Sequence, residues 1–342
     1  MTYQICKIIL IMMSFFISLV LLSFVIEPYF DNGVLLADSY RYYKYVDEFK
    51  FNIVDLYSLL NLNYGLPLFI AALSGVFDEY RFFVVALINF IIFCFVINHV
   101  KRNLPGDKKD YNYFLILVLS YPATLIFVLS LGKEVAYVYL LVVMLTYYYK
   151  KKMLQLTLIL PLMLLTRNSL VVIFFIFLLS EWLGKRYFYG LFIFSIIFPL
   201  FDSVLGIGIL DNESRIMLSS YLGQGSSVIM VKVGELQTIP MLSFFLAPIP
   251  FLISLASGVY SIVNVDTIYQ FIISLSSCFF VILLIFKSRV FLKKQNFYFL
   301  YVVIYATSLA PISQIRYYLP LAIVLIYMDS FMRGDGVKVN NV

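Results

Sequence analysis

Apolar runs of roughly 15–20 residues, separated by short polar or basic interruptions, fill most of this chain, and runs of that length match helices crossing a hydrocarbon core of ~30 Å. The pattern predicts spans at roughly 8–26, 82–99, 113–131, 135–149, 188–207, 268–286, 297–311 and 319–331. The stretch 153–183 reads as two short spans broken at Arg167-Asn168. Two further apolar stretches are interrupted: 56–77 carries Asn61, Asn63 and a Gly-Leu-Pro break, and 241–262 carries Pro248 and Pro250. The first run follows MTYQICK, approaches twenty residues and has no small-residue cleavage site after it, so it is expected to be a retained helix.

Basic residues sort these runs into an orientation. Lys101, Arg102, Lys108 and Lys109 form one loop, Lys150 to Lys152 a second, Lys185-Arg186 a third, and Lys287, Arg289, Lys293 and Lys294 a fourth. Alternation from 82 to 207 puts the first three on one side, the cytoplasmic side by the positive-inside rule. The fourth joins them if 241–262 enters and leaves on one face or crosses an even number of times. The same reasoning makes 56–77 re-entrant or interfacial, and broken backbone at membrane depth needs protein or a water-filled cavity around it. The expected fold is therefore an all-α polytopic transmembrane helical bundle of about 10–12 membrane segments, two of them broken or re-entrant, with a periplasm-facing cavity. Residues 1–342 read as a single integral membrane domain with outer loops at about 27–55 and 208–240.

Composition agrees: the chain is 63% hydrophobic and 13% charged, which excludes a soluble domain. The net charge of +6 sits in short loops, so it reads as topology and not as nucleic-acid binding. Cys6, Cys94 and Cys278 lie in or beside apolar runs without paired spacing and read as packing thiols. The only histidine, His99, lies at the cytoplasmic end of a span. A histidine triad or a His/Cys metal site on the outer face is thereby excluded, and Walker, Rossmann and haem patterns are absent, so no cofactor and no metal is expected.

The charges that topology leaves over carry the chemistry. Lys133-Glu134 interrupts an otherwise uncharged run from Tyr113 to Tyr149, Arg167 stands alone between Met153 and Ser180, and Arg316 lies between two apolar helices. Charges inside membrane segments are expensive and functional by default. All three positions fall on the outer face, where Lys133, Arg167 and Arg316 form a candidate pyrophosphate clamp, since a guanidinium grips phosphate through a planar fork. The alternative is that each pairs with Glu134 or a carbonyl for structure alone. Burial of Glu134 would raise its pKa toward the range useful for a base, which makes it the first candidate and Asp38 the second; Lys133 beside it could instead hold Glu134 ionised. If the first outer loop is helical, Arg41, Tyr42 and Tyr45 follow Asp38 on one face, suiting a phosphorylated or glycosylated ligand; an interfacial helix with a tyrosine belt is the other reading.

These motifs resemble a known family. Asp38 and Tyr42 form an Asp-x-x-x-Tyr element, and Pro122, Ser130, Gly132, Lys133 and Glu134 form a Pro…Ser-x-Gly-Lys-Glu element. A lone Arg167-Asn168 and a Gln314, Arg316, Tyr317, Pro320 element complete the set. Together they resemble bacterial polysaccharide polymerases of the O-antigen polymerase (Wzy) type. The resemblance implies a multi-pass glycosyltransferase of the bacterial inner membrane, active at the periplasmic face and needing neither nucleotide nor metal. Its substrate would be an oligosaccharide carried on undecaprenyl pyrophosphate, and its partners membrane lipid and a chain-length regulator. On that basis Arg41, Lys133, Arg167 and Arg316 would hold the donor pyrophosphate, with Tyr317 in the same motif. Glu134 or Asp38 would deprotonate the acceptor hydroxyl, and Tyr42, Tyr45 and Tyr64 would stack on sugars. The second outer loop departs from the pattern, offering only Arg215 and Lys232. A lipid-linked oligosaccharide flippase is the competing class, but the repeated halves and depth-distributed charges expected of a transporter are missing. A transferase adding one sugar from a polyprenyl phosphate is the nearer alternative.

Overall fold

The computed structural model describes residues 12–18, 81–105, 108–129, 133–183, 187–205, 241–263, 268–309 and 315–334, with isolated positions at 65, 69, 70, 73, 233, 236 and 239. The outer loops 27–55 and 208–240, most of 56–77, and Asp38, Arg41, Tyr42, Tyr45 and Tyr64 lie outside the described residues, as does the Arg316 side chain. Among the described residues all regular structure is helical. In chain order the helices are α1 (Arg81–Asn103), α2 (Lys108–Ser120), α3 (Pro122–Leu129), α4 (Glu134–Tyr149), α5 (Leu160–Thr166), α6 (Asn168–Trp182), α7 (Tyr187–Leu205), α8 (Leu242–Leu246), α9 (Pro248–Tyr260), α10 (Ile268–Phe286), α11 (Ser288–Phe291), α12 (Lys294–Ser308) and α13 (Pro320–Gly334). Short 3-10 turns at Met153–Ile159 and Ile315–Tyr317 complete them.

By length and composition, Phe83–Asn103 and Leu242–Tyr260 are each able to cross a membrane, and α2 with α3 makes a third crossing if that bent pair is one span. The apolar helical stretches Glu134–Tyr149, Met153–Thr166, Asn168–Trp182, Phe188–Leu200 and Gln270–Phe286 are shorter, at 10–17 residues. On α1, Phe83, Leu87, Ile91 and Phe95 are exposed at a spacing of four, an apolar stripe suited to lipid.

The span expected at 113–131 is bent and not straight. The chain bends by 71° between Ser120 and Pro122. Proline has no amide hydrogen to continue the ladder and disfavours helical backbone in the residue before it. Side chains cover the break: the Thr124 hydroxyl donates to the Val118 carbonyl at 2.8 Å, and the Tyr121 hydroxyl donates to the Leu319 carbonyl at 3.1 Å. Farther along α3, the Asn89 amide donates to the Val128 carbonyl at 3.1 Å.

Two helices form the interior. In α4, Val135, Tyr137, Val138 and every residue from Leu140 to Leu145 are buried, and in α13 the run Leu321–Met328 is buried on all sides. A helix apolar all round belongs at the centre of a bundle, and these two pack on each other. α1 runs parallel to α4, with His99 Nε2 3.0 Å from Thr146 Oγ1 and the Lys150 ammonium donating to Asn103 Oδ1 at 2.6 Å. α2 runs antiparallel to α13, because Tyr121 meets Leu319 at one end and Tyr113 meets Arg333 at the other.

Those directions give the molecule two ends. At one, Lys150 meets Asn103, Tyr149 donates to Asn296 Oδ1 at 2.6 Å, and Asp329 pairs with Lys287 at 2.9 Å and Arg333 at 3.3 Å. The first, second and fourth basic loops therefore lie together, as positive-inside counting expects; Lys185-Arg186 is outside the described residues. At the opposite end are the start of α4, the α5–α6 break and the turn before α13.

The path of 241–262, expected either to enter and leave on one face or to cross an even number of times, is described in part. α9 packs antiparallel to α10, with Phe251 against Phe280 and Ser261 against Ser274. α8 starts beside the middle of α7, where Ser243 Oγ donates to the Ser195 carbonyl at 3.5 Å. The pair is long enough to cross, so its proline-marked apolar run alone did not fix its path. Gly258 allows its close approach: a Cβ there would collide with Ser277 Oγ and stand 3.0 Å from Ile315 Cγ1. Gly258→Leu is expected to destabilise the fold by about 1–3 kcal/mol through overpacking, read as a lower melting temperature in detergent, with Gly258→Ala milder because serine can rotate away.

Candidate functional site

The site builds from a helix start. Lys133 is the N-cap of α4, with φ −105° and ψ 0° and no side-chain cap bond, and its own side chain is buried at 8% exposure. Glu134 occupies the first helical turn, where a carboxylate is favoured by the helix dipole. It is only half-buried, so the desolvation that made it the first candidate for a base is partial. The Tyr137 amide closes the first turn on the Lys133 carbonyl at 2.8 Å, which puts Tyr137 on the same helix face as Lys133.

The second helix start is α6. Arg167, its N-cap, is extended at φ −165° and ψ 127°, and its amide still donates to the Met163 carbonyl of α5 at 2.8 Å. One extended residue between two helices is the break expected at Arg167-Asn168, and it turns the arginine into the protein. The guanidinium carbon lies 4.8 Å from the Tyr137 ring centre and 4.3 Å from that of Tyr317. Three elements thus converge: α4, the α5–α6 break and the 3-10 turn before α13. Tyr137 is fully buried, with its hydroxyl 3.4 Å from Thr307 Oγ1 on α12.

Arg167 is 7% exposed, and its Nη1 has no hydrogen-bond partner. No carboxylate pairs with it among the described residues. Each aromatic face contributes about 0.5–2 kcal/mol, whereas removing a charge from water costs several kcal/mol and an unmet buried donor about 1–3 more. The two rings therefore do not cover the cost of burying this cation. A guanidinium serving structure alone would spend its donors on carbonyls or carboxylates. This one leaves Nη1 without a partner.

Sequence reasoning named Lys133, Glu134, Arg167 and Tyr317, and of these the structure puts Tyr317 directly on Arg167 and Lys133 one turn from Tyr137. Arg316 shares the 3-10 turn by backbone. Tyr137 and Thr307 were missed; the four-residue offset from Lys133 was the available signal for Tyr137, and nothing local marked Thr307. His99 lies at the basic end, as expected. No group of three or more metal-ligating side chains occurs among the described residues. No family model, no curated protein and no solved structure matches this chain.

Proposed function

We propose that this chain is a multi-pass membrane glycosyltransferase of the O-antigen polymerase type, working at the periplasmic face of a bacterial inner membrane on undecaprenyl-pyrophosphate-linked oligosaccharides. The observation that carries the reading is the buried Arg167 guanidinium, held by Tyr137 and Tyr317 with Nη1 unmet, at the end of the bundle opposite the basic loops. A pyrophosphate leaving group supplies the acceptor oxygens that guanidinium requires. The acceptor hydroxyl attacks the anomeric carbon of the donor sugar as the glycosyl–phosphate bond breaks. The pyrophosphate departs with the bonding electrons, and the hydroxyl proton passes to a carboxylate, Glu134 or Asp38. Arg167, with Lys133, Arg41 and Arg316, stabilises the charge that develops on the leaving group, and Tyr42, Tyr45 and Tyr64 hold the sugars. In this reading the bundle has about 10–12 membrane segments with a cavity open to the outer face.

The test is elongation in vesicles by the purified chain, with lipid-linked repeat units supplied. The expected product is a ladder of oligosaccharides with release of one undecaprenyl pyrophosphate per bond formed. Movement of the lipid without bond formation would make the protein a flippase, and addition of one sugar without a ladder would make it a single-residue transferase.

A further inference from the structure

We infer that the N-terminus of α6 is a phosphoryl-binding lobe in which the Ser169 hydroxyl, not only Arg167, touches the anion. The inference deepens the proposed function and rests on it for the identity of the lipid carrier, but the lobe itself can be tested separately.

Two buried polar atoms in one helical turn have no hydrogen-bond partner: Arg167 Nη1 and Ser169 Oγ. They flank the start of a helix of 15 residues with no side-chain cap bond and no acid in its first turn. Helix starts ordinarily recruit Ser, Thr, Asp or Asn as the N-cap, whose oxygen accepts from the first-turn amides. Here the N-cap is a cation, so the amides and the positive end of the dipole have no oxygen supplied by that residue. The Leu170 amide is engaged, donating to the Arg167 carbonyl at 2.9 Å. Serine inside a helix usually spends its hydroxyl on the carbonyl four residues back, as Ser180 does on Ile176 and Ser277 on Ile273. The residue four before Ser169 is Leu165, across the Arg167 break in α5, and Ser169 makes no such bond.

The donors left without a partner are a guanidinium nitrogen and a hydroxyl, set at the positive end of a helix. A tetrahedral phosphoryl group offers three peripheral oxygens for such a set, while a carboxylate offers two in one plane. Asn168, between the two orphaned groups, is exposed, while Nη1 and Oγ themselves are buried, so an anion reaches them only as the turn gives way.

The experiment uses the full chain in phosphatidylcholine nanodiscs and measures inorganic pyrophosphate binding by calorimetry, with acetate as the comparison anion. Wild type is expected to bind pyrophosphate and not acetate. Ser169→Ala should weaken pyrophosphate binding about tenfold, the loss expected for one hydrogen bond to a charged acceptor, and Ser169→Thr should restore it because the hydroxyl is kept. A second arm adds phosphatidic acid to the discs; competition with pyrophosphate shows that a lipid phosphate reaches the lobe, and no competition assigns the lobe to anions from solution. Equal pyrophosphate affinity in wild type and Ser169→Ala overturns the inference even if the chain elongates polysaccharide. Weaker affinity in Ser169→Ala with no elongation by wild type sustains the lobe and removes the polymerase reading instead.

Discussion

Under the proposed polymerase function, replacing Arg167 with methionine is expected to leave the protein at least as stable as the parent while cutting chain elongation by about a hundredfold or more. The two effects separate because Arg167 is costly to the fold. It is 7% exposed, and Nη1 is unmet. Methionine fills much the same volume, removes the desolvated charge and loses only two aromatic contacts of about 0.5–2 kcal/mol each. Arg167→Lys keeps the charge but not the planar fork and should fall between. Thermal melts in detergent and the ladder made by complemented deletion cells read the two quantities on the same variants. A methionine variant that melts several degrees lower with normal ladders would make Arg167 a structural residue and overturn the proposal that it is an anion ligand.

At the other end of the bundle the sign reverses. Asp329 is 5% exposed and shared between Lys287 and Arg333, whose charges also lie over the Tyr113 ring at 5.2 and 4.1 Å. Asp329→Ala is expected to destabilise the protein by about 2–3 kcal/mol. That is below the ~3–5 kcal/mol of a fully buried broken pair, because the Arg333 side chain is half exposed and can turn to water. Adding Lys287→Met to Asp329→Ala should recover part of the loss, since the stranded charge is then gone. Burial pulls the Lys287 pKa down, but hydrogen bonds to Tyr113 and Asp329 and the Asp329 charge outweigh it, leaving the pKa above its ordinary 10.5. A raised lysine pKa contributes stability that is complete below the unfolded value and is lost as pH rises through the folded one. The Lys287 contribution should therefore be flat through neutral pH and fade above about 10.5, with wild type and Lys287→Met converging there in pH-dependent melts.

Much of this arrangement is legible along the chain. Apolar periodicity places α1, α4, α7, α10 and α13 to within a few residues, because a segment without charge has one low-energy option in lipid, a helix that satisfies its own backbone. The basic loops declare their common end for a similar reason, since short polar connections can only sit outside the apolar layer. The break at Arg167 is visible because an isolated arginine cannot stay in hydrocarbon unattended. The bend at Pro122 was available in principle, but one proline inside a long apolar run is tolerated in membrane helices, so the pattern reads straight through it.

Local pattern alone is enough to give an all-helical apolar chain with its surplus basic residues gathered at one end and isolated charges left for the other. Those properties follow from local composition and from counting reversals. Which of the isolated charges lacks a full set of partners came from packing alone: Arg167 meets Tyr137 and Tyr317, residues 30 and 150 positions away, and Ser169 has no bond to the carbonyl four residues back because one extended residue separates α5 from α6. A hydrogen-bond vacancy is a property of everything around an atom, and no pattern along one strand of sequence contains that.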